Sequence, residues 1–354
     1  MSAEPPILIL DGGLGTSLER SYGCVFTPAT PLWSSHLLVS DPSLLQRCQA
    51  DFARGVPVDV LLTATYQFSV AGFAGTRTPD HPRGIPRPDI PRFVEAAVRV
   101  AEQARGMPRH EGGHARLALS LGPYGACMIP SQEYSGRYDA EHDAEDALRE
   151  WHADRMRLFG GVADLASRIQ YVALETIPRV DEIRALRRAI GAVPELARRP
   201  FWMSCLFPHA ADDDTLPDGS SAEEAVRAML DPGVASARPW GVGINCTKVW
   251  KLDALLRRYE AAVAGLLSDG LIEAWPALVL YPDGTNGEVY NTATQKWELP
   301  EDAKGESRET WEDQLRDAVL GTQQRGAWRQ IIVGGCCMAG ADDIKRLRHA
   351  LLGK

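Results

Sequence analysis

The chain has 354 residues, of which 45% are hydrophobic and 24% charged, the balance of an ordinary soluble globule. A formal net charge of −9 argues against nucleic acid as a partner, because phosphate binding needs clustered Lys and Arg. No apolar run approaches roughly 18 residues, which argues against a transmembrane helix.

At the N-terminus, Met1-Ser-Ala-Glu-Pro-Pro6 runs straight into an apolar stretch, without the basic and apolar regions of a signal peptide. Seven cysteines without regular spacing do not make a secreted disulfide framework, and a cytoplasmic protein is expected. Eight short apolar runs follow, at 7–11, 59–66, 117–122, 171–175, 201–207, 241–246, 277–281 and 330–334. They show little polar alternation, as parallel strands buried on both faces do. Helix-period segments separate them. The first opens at Asp41-Pro-Ser, an acidic N-cap ahead of proline at the first helical position. The others are 91–105, 144–167, 179–190, 222–230, 252–267, 308–322 and 341–352. Eight strands alternating with eight helices predict a single-domain (β/α)8 TIM barrel across 1–354. A doubly wound open sheet is the alternative, but Asp11-Gly-Gly-Leu-Gly-Thr16 is not the GxGxxG fingerprint. The stretches 75–91 and 283–307 exceed ordinary loop lengths and read as lids, substrate walls or subunit contacts, the second with a hairpin over 290–297. Oligomerisation stays open.

The C-terminal strand ends of such a barrel converge on one mouth. The order of the runs brings there Asp11 from the first, Tyr66 and Gln67 from the second, and Glu175 from the fourth. Cys246 closes the sixth run, and Cys336 with Cys337 the eighth. Adjacent cysteines rarely bond to each other. Three thiols from two strand ends suit Zn2+ with one coordination position open for chemistry. A redox pair is disfavoured because no CxxC is present. Cys24, Cys48, Cys127 and Cys205 read as small buried hydrophobes. Asp11 either caps its own turn through the N–H of Gly13 or Leu14, or joins Glu175 in holding an ammonium group. Glu175 could instead brace a loop arginine. Trp33 is either a packing aromatic or a ring face for a cation.

The chain resembles the homocysteine S-methyltransferase family over nearly its whole length. The matching stretches are Ile9-Leu-Asp-Gly-Gly-Leu-Gly-Thr16, Pro31-Leu-Trp33, Thr63-Ala-Thr-Tyr-Gln67, Ala71-Gly-Phe73, Leu174-Glu-Thr-Ile-Pro178, Gly243-Ile-Asn-Cys246, Tyr281-Pro-Asp-Gly284 with Gly287-Glu-Val-Tyr290, and Gly334-Gly-Cys-Cys337. The resemblance implies a zinc barrel with the metal on Cys246, Cys336 and Cys337. It also implies that Asp11 and Glu175 hold the amino-acid end of homocysteine, with N–H groups near Gly12 and Gly13 for its carboxylate. A protein or water oxygen would fill the fourth zinc position at rest, with Gln67, which falls about where some relatives place a tyrosine, as the protein candidate. The implied reaction is methyl transfer to the homocysteine thiol, giving methionine. The betaine branch of the family is a poor match, since Thr176 stands where that branch has an aromatic residue. The cobalamin branch carries further domains. S-methylmethionine and S-adenosylmethionine remain as donors, and the lack of an adenine-binding fingerprint favours the first. Two rival classes are a zinc hydrolase, for which no His cluster is present (His209 and His349 stand in turn and helix contexts), and a non-enzymatic zinc or redox sensor.

Overall fold

In the computed structural model, which describes residues 5–106, 115–208, 213–285, 287–291, 296–298 and 309–353, each apolar run becomes a short strand. The strands are β1 (Ile7–Ile9), β2 (Val60–Leu62), β3 (Arg116–Leu121), β4 (Tyr171–Ile177), β5 (Phe201–Cys205), β6 (Gly241–Asn245) and β7 (Ala277–Tyr281). After a small antiparallel hairpin, β8 (Val289–Asn291) with β9 (Lys296–Glu298), β10 (Ile331–Val333) completes the main sheet. Its order is β1-β10-β7-β6-β5-β4-β3-β2, every pairing parallel. A parallel bridge from Leu10 to Val60, with Asp59 N–H donating to Ile9 O at 2.7 Å, joins the two edges. The sheet is therefore a closed eight-stranded barrel, as the run pattern predicts.

The two-residue period of each strand sorts its side chains into two cores. Val172, Leu174, Met203, Val242, Ile244, Leu278 and Leu280 point outward into a helix-covered layer. Leu10, Val60, Ala118, Tyr171, Ala173, Trp202, Val279, Tyr281 and Ile332 fill the interior. Trp202 is wholly buried, and cutting such a side chain to Ala costs about 3–5 kcal/mol. The interior is thus a packed floor, and only its upper end is left for function. Continuing each inward row upward leads to Glu175 beyond Ala173, Ser120 beyond Ala118, Ser204 beyond Trp202, and Asn245 beyond Gly243.

The longer helices are α1 (Leu14–Tyr22), α2 (Pro42–Ala50), α3 (Ile90–Arg105), α4 (Glu145–Gly160), α5 (Val180–Gly191), α6 (Ala222–Leu230), α7 (Leu252–Ser268), α8 (Trp311–Arg325) and α9 (Ala341–Leu352). Asp41 caps α2 as expected, its Oδ1 accepting from Leu44 N–H at 3.0 Å. Two expectations differ from the structure. The helix expected over 144–167 stops at Gly160, where two glycines weaken it, and Asp164 then turns left-handed at φ 57°. The sequence reading also passed over α1, which hides behind the glycines at 12, 13 and 15 and ends at a left-handed Gly23. Of the expected hairpin over 290–297, residues 292–295 lie outside the described residues. Among the described residues no helix is long and apolar enough to cross a membrane.

Candidate active site

The loop after β10 is tied down by its neighbours on both sides. Gly334 N–H donates to Leu280 O, Gly335 N–H to Asp11 O, and Cys336 N–H to Pro282 O, at 2.9, 3.0 and 2.7 Å. Gly284 N–H donates to Cys337 O at 2.7 Å, and Met338 N–H to Thr16 Oγ1 at 2.9 Å. Backbone bonds from the ends of β1 and β7 thereby fix both cysteines beside Cys246, which follows β6. The Sγ atoms of Cys246, Cys336 and Cys337 all lie within 4.8 Å of one another. Cys246 and Cys336 bring their sulfurs into direct contact, with Cα atoms 5.5 Å apart, close enough to pair on oxidation, which the sequence reading did not expect. Such a bond would occupy two of the three sulfurs, so a metal requires their reduced form. As thiolates the three form an all-sulfur donor set suited to a soft metal, and a tetrahedral ion would keep one position free. Without a metal, burial pushes the Cys337 thiol up to about 12, with the Glu133 and Asp283 charges adding to the shift. A cation at the cluster reverses that preference by stabilising the thiolate.

Cys246 at φ 48° and Thr176 at φ 61° both have left-handed backbones. Such a conformation costs roughly 1–3 kcal/mol in a non-glycine residue and persists only where its surroundings enforce it. Asn245 enforces both. Its Oδ1 accepts from Thr176 N–H at 2.9 Å, while its Nδ2 donates to Thr176 Oγ1 at 2.8 Å and toward Cys246 Sγ at 3.3 Å. Thr176 also lies where the β4–β5 register shifts, between Leu174 and Ile177. Glu175 therefore does not end its strand as expected. It sits inside β4, at a local irregularity of the kind that re-aims side chains near functional sites.

Asp11 and Glu175 face the cleft from β1 and β4, both nearly inaccessible at 3% and 4% exposure. Ser120 Oγ donates to Glu175 Oε1, and the Tyr281 hydroxyl also bonds this carboxylate. Tyr281 is in turn held by Trp202 Nε1–H at 3.1 Å and Ser204 Oγ at 2.9 Å. The partner of Glu175 is thus a buried hydroxyl network, not the loop arginine considered from sequence. Asp11 does not cap its own turn. Its Oδ2 accepts from Leu62 N–H at 2.9 Å, while Oδ1 is buried with no hydrogen-bond partner. Burial holds Asp11 well above the usual carboxylate range, and the nearby Glu175 charge adds to this. Glu175 is likewise pushed up to about 7 by burial, against its hydroxyl partners. Buried carboxylates of this kind, one with an unpartnered oxygen, are suited to accept an ammonium group.

Gly12, Gly13, Trp33 and Tyr66 line the same cleft, whose inner volume is about 90 Å3. The Gly13 N–H is already bonded to Ala339 O at 2.9 Å, so one of the two amides expected to meet a ligand carboxylate is taken. Trp33 packs its indole directly over Gly15, where any Cβ would collide with the ring. The Tyr66 hydroxyl donates to Glu133 Oε2 at 2.8 Å, and the backbone carbonyl of Tyr66 accepts from buried Arg155. Burial lifts Glu133 up to about 7 as well. Gln67 Nε2 donates to Ala126 O at 2.9 Å while its Oε1 is buried without a partner, and the residue is not among those lining the cleft. Glu133, Asn245, Ser120 and Tyr281 were missed from sequence. For the last three the inward row of their strands was an available signal; for Glu133, on a long loop after β3, there was none.

The sequence model of the homocysteine S-methyltransferase family matches residues 8–351. Homocysteine S-methyltransferase of Escherichia coli K12 is 30% identical, covering 97% of this chain and 94% of that protein. Homocysteine S-methyltransferase YbgG of Bacillus subtilis is 28% identical, covering 97% of this chain and 93% of its own length. Crystal structures of the E. coli homocysteine methyltransferase MmuM, in an oxidized and in a metallated form, each superpose with a TM-score of 0.67 at 26% identity, covering 97% of this chain and 95% of that one. With the cysteine pair, the mouth carboxylates and the barrel all in agreement, the chain belongs to the homocysteine S-methyltransferase family and is a methyltransferase.

Proposed function

We propose that the protein transfers a methyl group from a sulfonium donor, S-methylmethionine or S-adenosylmethionine, to homocysteine in the cytosol, with Zn2+ on Cys246, Cys336 and Cys337. The observation that carries this reading is the cluster of three thiols beside two buried carboxylates, one of which has an unpartnered oxygen. Family membership sets aside the hydrolase and sensor alternatives. Zn2+ held by these three cysteines would supply a Lewis acid that lowers the pKa of a coordinated thiol, so that the thiol proton passes to solvent near neutral pH. Asp11 and Glu175 grip the substrate ammonium and so aim its thiol at the cysteine cluster. Trp33 offers a ring face to the cationic donor. The homocysteine sulfur forms a bond to the methyl carbon as the donor's sulfur–methyl bond breaks, and the electron pair returns to the donor sulfur. That sulfur leaves neutral, so no general acid is needed. The closed barrel floor excludes water and holds the two sulfurs in line.

Purified, reduced, zinc-loaded protein supplied with homocysteine and each donor in turn is expected to form methionine. S-methylmethionine should serve at least as well as S-adenosylmethionine. No methionine from either donor would refute the reading. In Trp33→Leu, loss of a cation–π contact of about 0.5–2 kcal/mol should raise the donor KM by roughly 2- to 30-fold, leaving the homocysteine KM in place. An unchanged donor KM would return Trp33 to a packing role over Gly15.

A further inference from the structure

The cysteine cluster does not sit at the bottom of a single cavity; it forms part of the partition between two. The inner chamber holds Asp11 and Glu175. An outer chamber of about 490 Å3 opens on its far side, and Trp33, Glu133, Tyr134, Cys246 and Cys337 line both. The outer one also contains Glu19, Lys248 and Asp283. Lys248 Nζ lies 3.1 Å from Asp283 and also donates to Thr285 Oγ1 and Glu288 O, so this cation and this anion offset each other. Glu19 is exposed at the rim. Glu133 differs from both. It stands on the partition itself, held by the Tyr66 hydroxyl, and among the described residues no lysine, arginine or histidine pairs with it.

Resting on the methyl-transfer reading above, we propose that Glu133 is the residue that positions and selects the cationic methyl donor, its carboxylate facing the sulfonium from the outer chamber while homocysteine fills the inner one. The volumes fit this division, since the outer chamber, at about 490 Å3 against about 90 Å3, has the room for the larger of the two ligands. The charge fits too. A donor arrives with a positive sulfur and leaves as a neutral thioether, so the attraction of Glu133 acts on the donor and disappears from the spent product. That difference favours exchange of product for fresh donor. It also carries a kinetic signature. In the transition state the sulfonium charge is already fading toward neutral, so the carboxylate favours the ground state at least as much. Its contribution belongs to binding, not to the chemical step.

The test is Glu133→Gln, which is isosteric and keeps an acceptor for Tyr66, with Glu133→Asp as the charge-retaining variant. Kinetics should show the donor KM of Glu133→Gln raised about tenfold, the loss of one charge-assisted contact, with the change in KM rather than kcat and the homocysteine KM unmoved. Glu133→Asp should recover part of the loss. Calorimetry on zinc-loaded protein without homocysteine gives a readout independent of turnover. Wild type should bind S-methylmethionine about tenfold more tightly than methionine, and Glu133→Gln should bind the two alike. Equal binding by wild type, or a preference that survives in Glu133→Gln, overturns the role of Glu133. Failure of wild type to make methionine overturns the methyl-transfer reading instead, so the two failures are told apart.

Discussion

Replacing Cys336 or Cys246 by serine should leave the reduced protein with little bound metal and lower methionine formation by more than about a hundredfold, since even changes behind a metal's direct ligands cost 10- to 100-fold. The reason lies in how the donor set is assembled. The backbone bonds from Asp11, Pro282 and Leu280 hold the loop after β10 whether or not a metal is present, so serine should sit where the thiol did. A hydroxyl is a far poorer anion than a thiol, and it gives a soft metal no sulfur. The fold should survive, because the inner and outer cores lie beneath the mouth. Melting temperatures close to wild type, together with elemental analysis, separate loss of the ligand from loss of the fold. Cys205 and Cys48 make controls: both are buried in the outer layer, so their serine variants should lose stability and keep the metal. Oxidation that pairs Cys246 with Cys336 adds a second arm. Protein isolated with that bond intact should carry no metal, and reduction by a phosphine followed by zinc should restore about one ion per chain. Full metal occupancy in each single serine variant, or in the disulfide form, would end the case for this site.

The barrel was readable because parallel strands buried on both faces leave short, uninterrupted apolar runs, and all eight runs found from sequence became strands of the closed sheet. The metal-ligand candidates were readable for a related reason. Cys246, Cys336 and Cys337 each end such a run, and topology alone brings those ends together. What stayed hidden was side-chain direction. Gln67 and Tyr66 are neighbours on one loop, yet one bonds Ala126 O and the other Glu133. Nothing in their order tells which enters the cleft. Asn245 stood within a recognised motif, but its work, holding left-handed backbones at Thr176 and Cys246, depends on a contact between residues 69 positions apart. Cys246 and Cys336 meet across 90 positions, which spacing rules such as CxxC cannot anticipate.

Glu175→Gln should raise the homocysteine KM about tenfold or more and flatten its dependence on pH, leaving metal content untouched. In the empty cleft burial holds Glu175 up at about 7, so near neutral pH a large share of the protein carries it protonated. Only the ionised form pairs with the substrate ammonium. Homocysteine affinity in wild type should therefore fall as pH drops through about 7, and binding should release a proton in that range. Gln cannot titrate, and the difference between the two profiles removes the contribution of the substrate's own thiol. Stability should move the other way. Because the folded carboxyl titrates above its ordinary value of 4.5, its stabilising share is fully present below that value and is lost as pH rises through about 7. At pH 8 wild type thus carries the cost of a buried charge that Glu175→Gln avoids. The variant should accept the Ser120 hydroxyl through its amide oxygen and melt no lower than wild type. Asp11→Asn should behave similarly in KM, since the unpartnered Oδ1 would lose its charge while Oδ2 or its replacement still faces Leu62 N–H. A carboxylate kept at a cost to the free protein and repaid only when a cation arrives is the pattern of a binding group. A homocysteine KM that follows the wild-type pH profile in Glu175→Gln would instead make this residue part of the hydroxyl network that holds up the barrel floor.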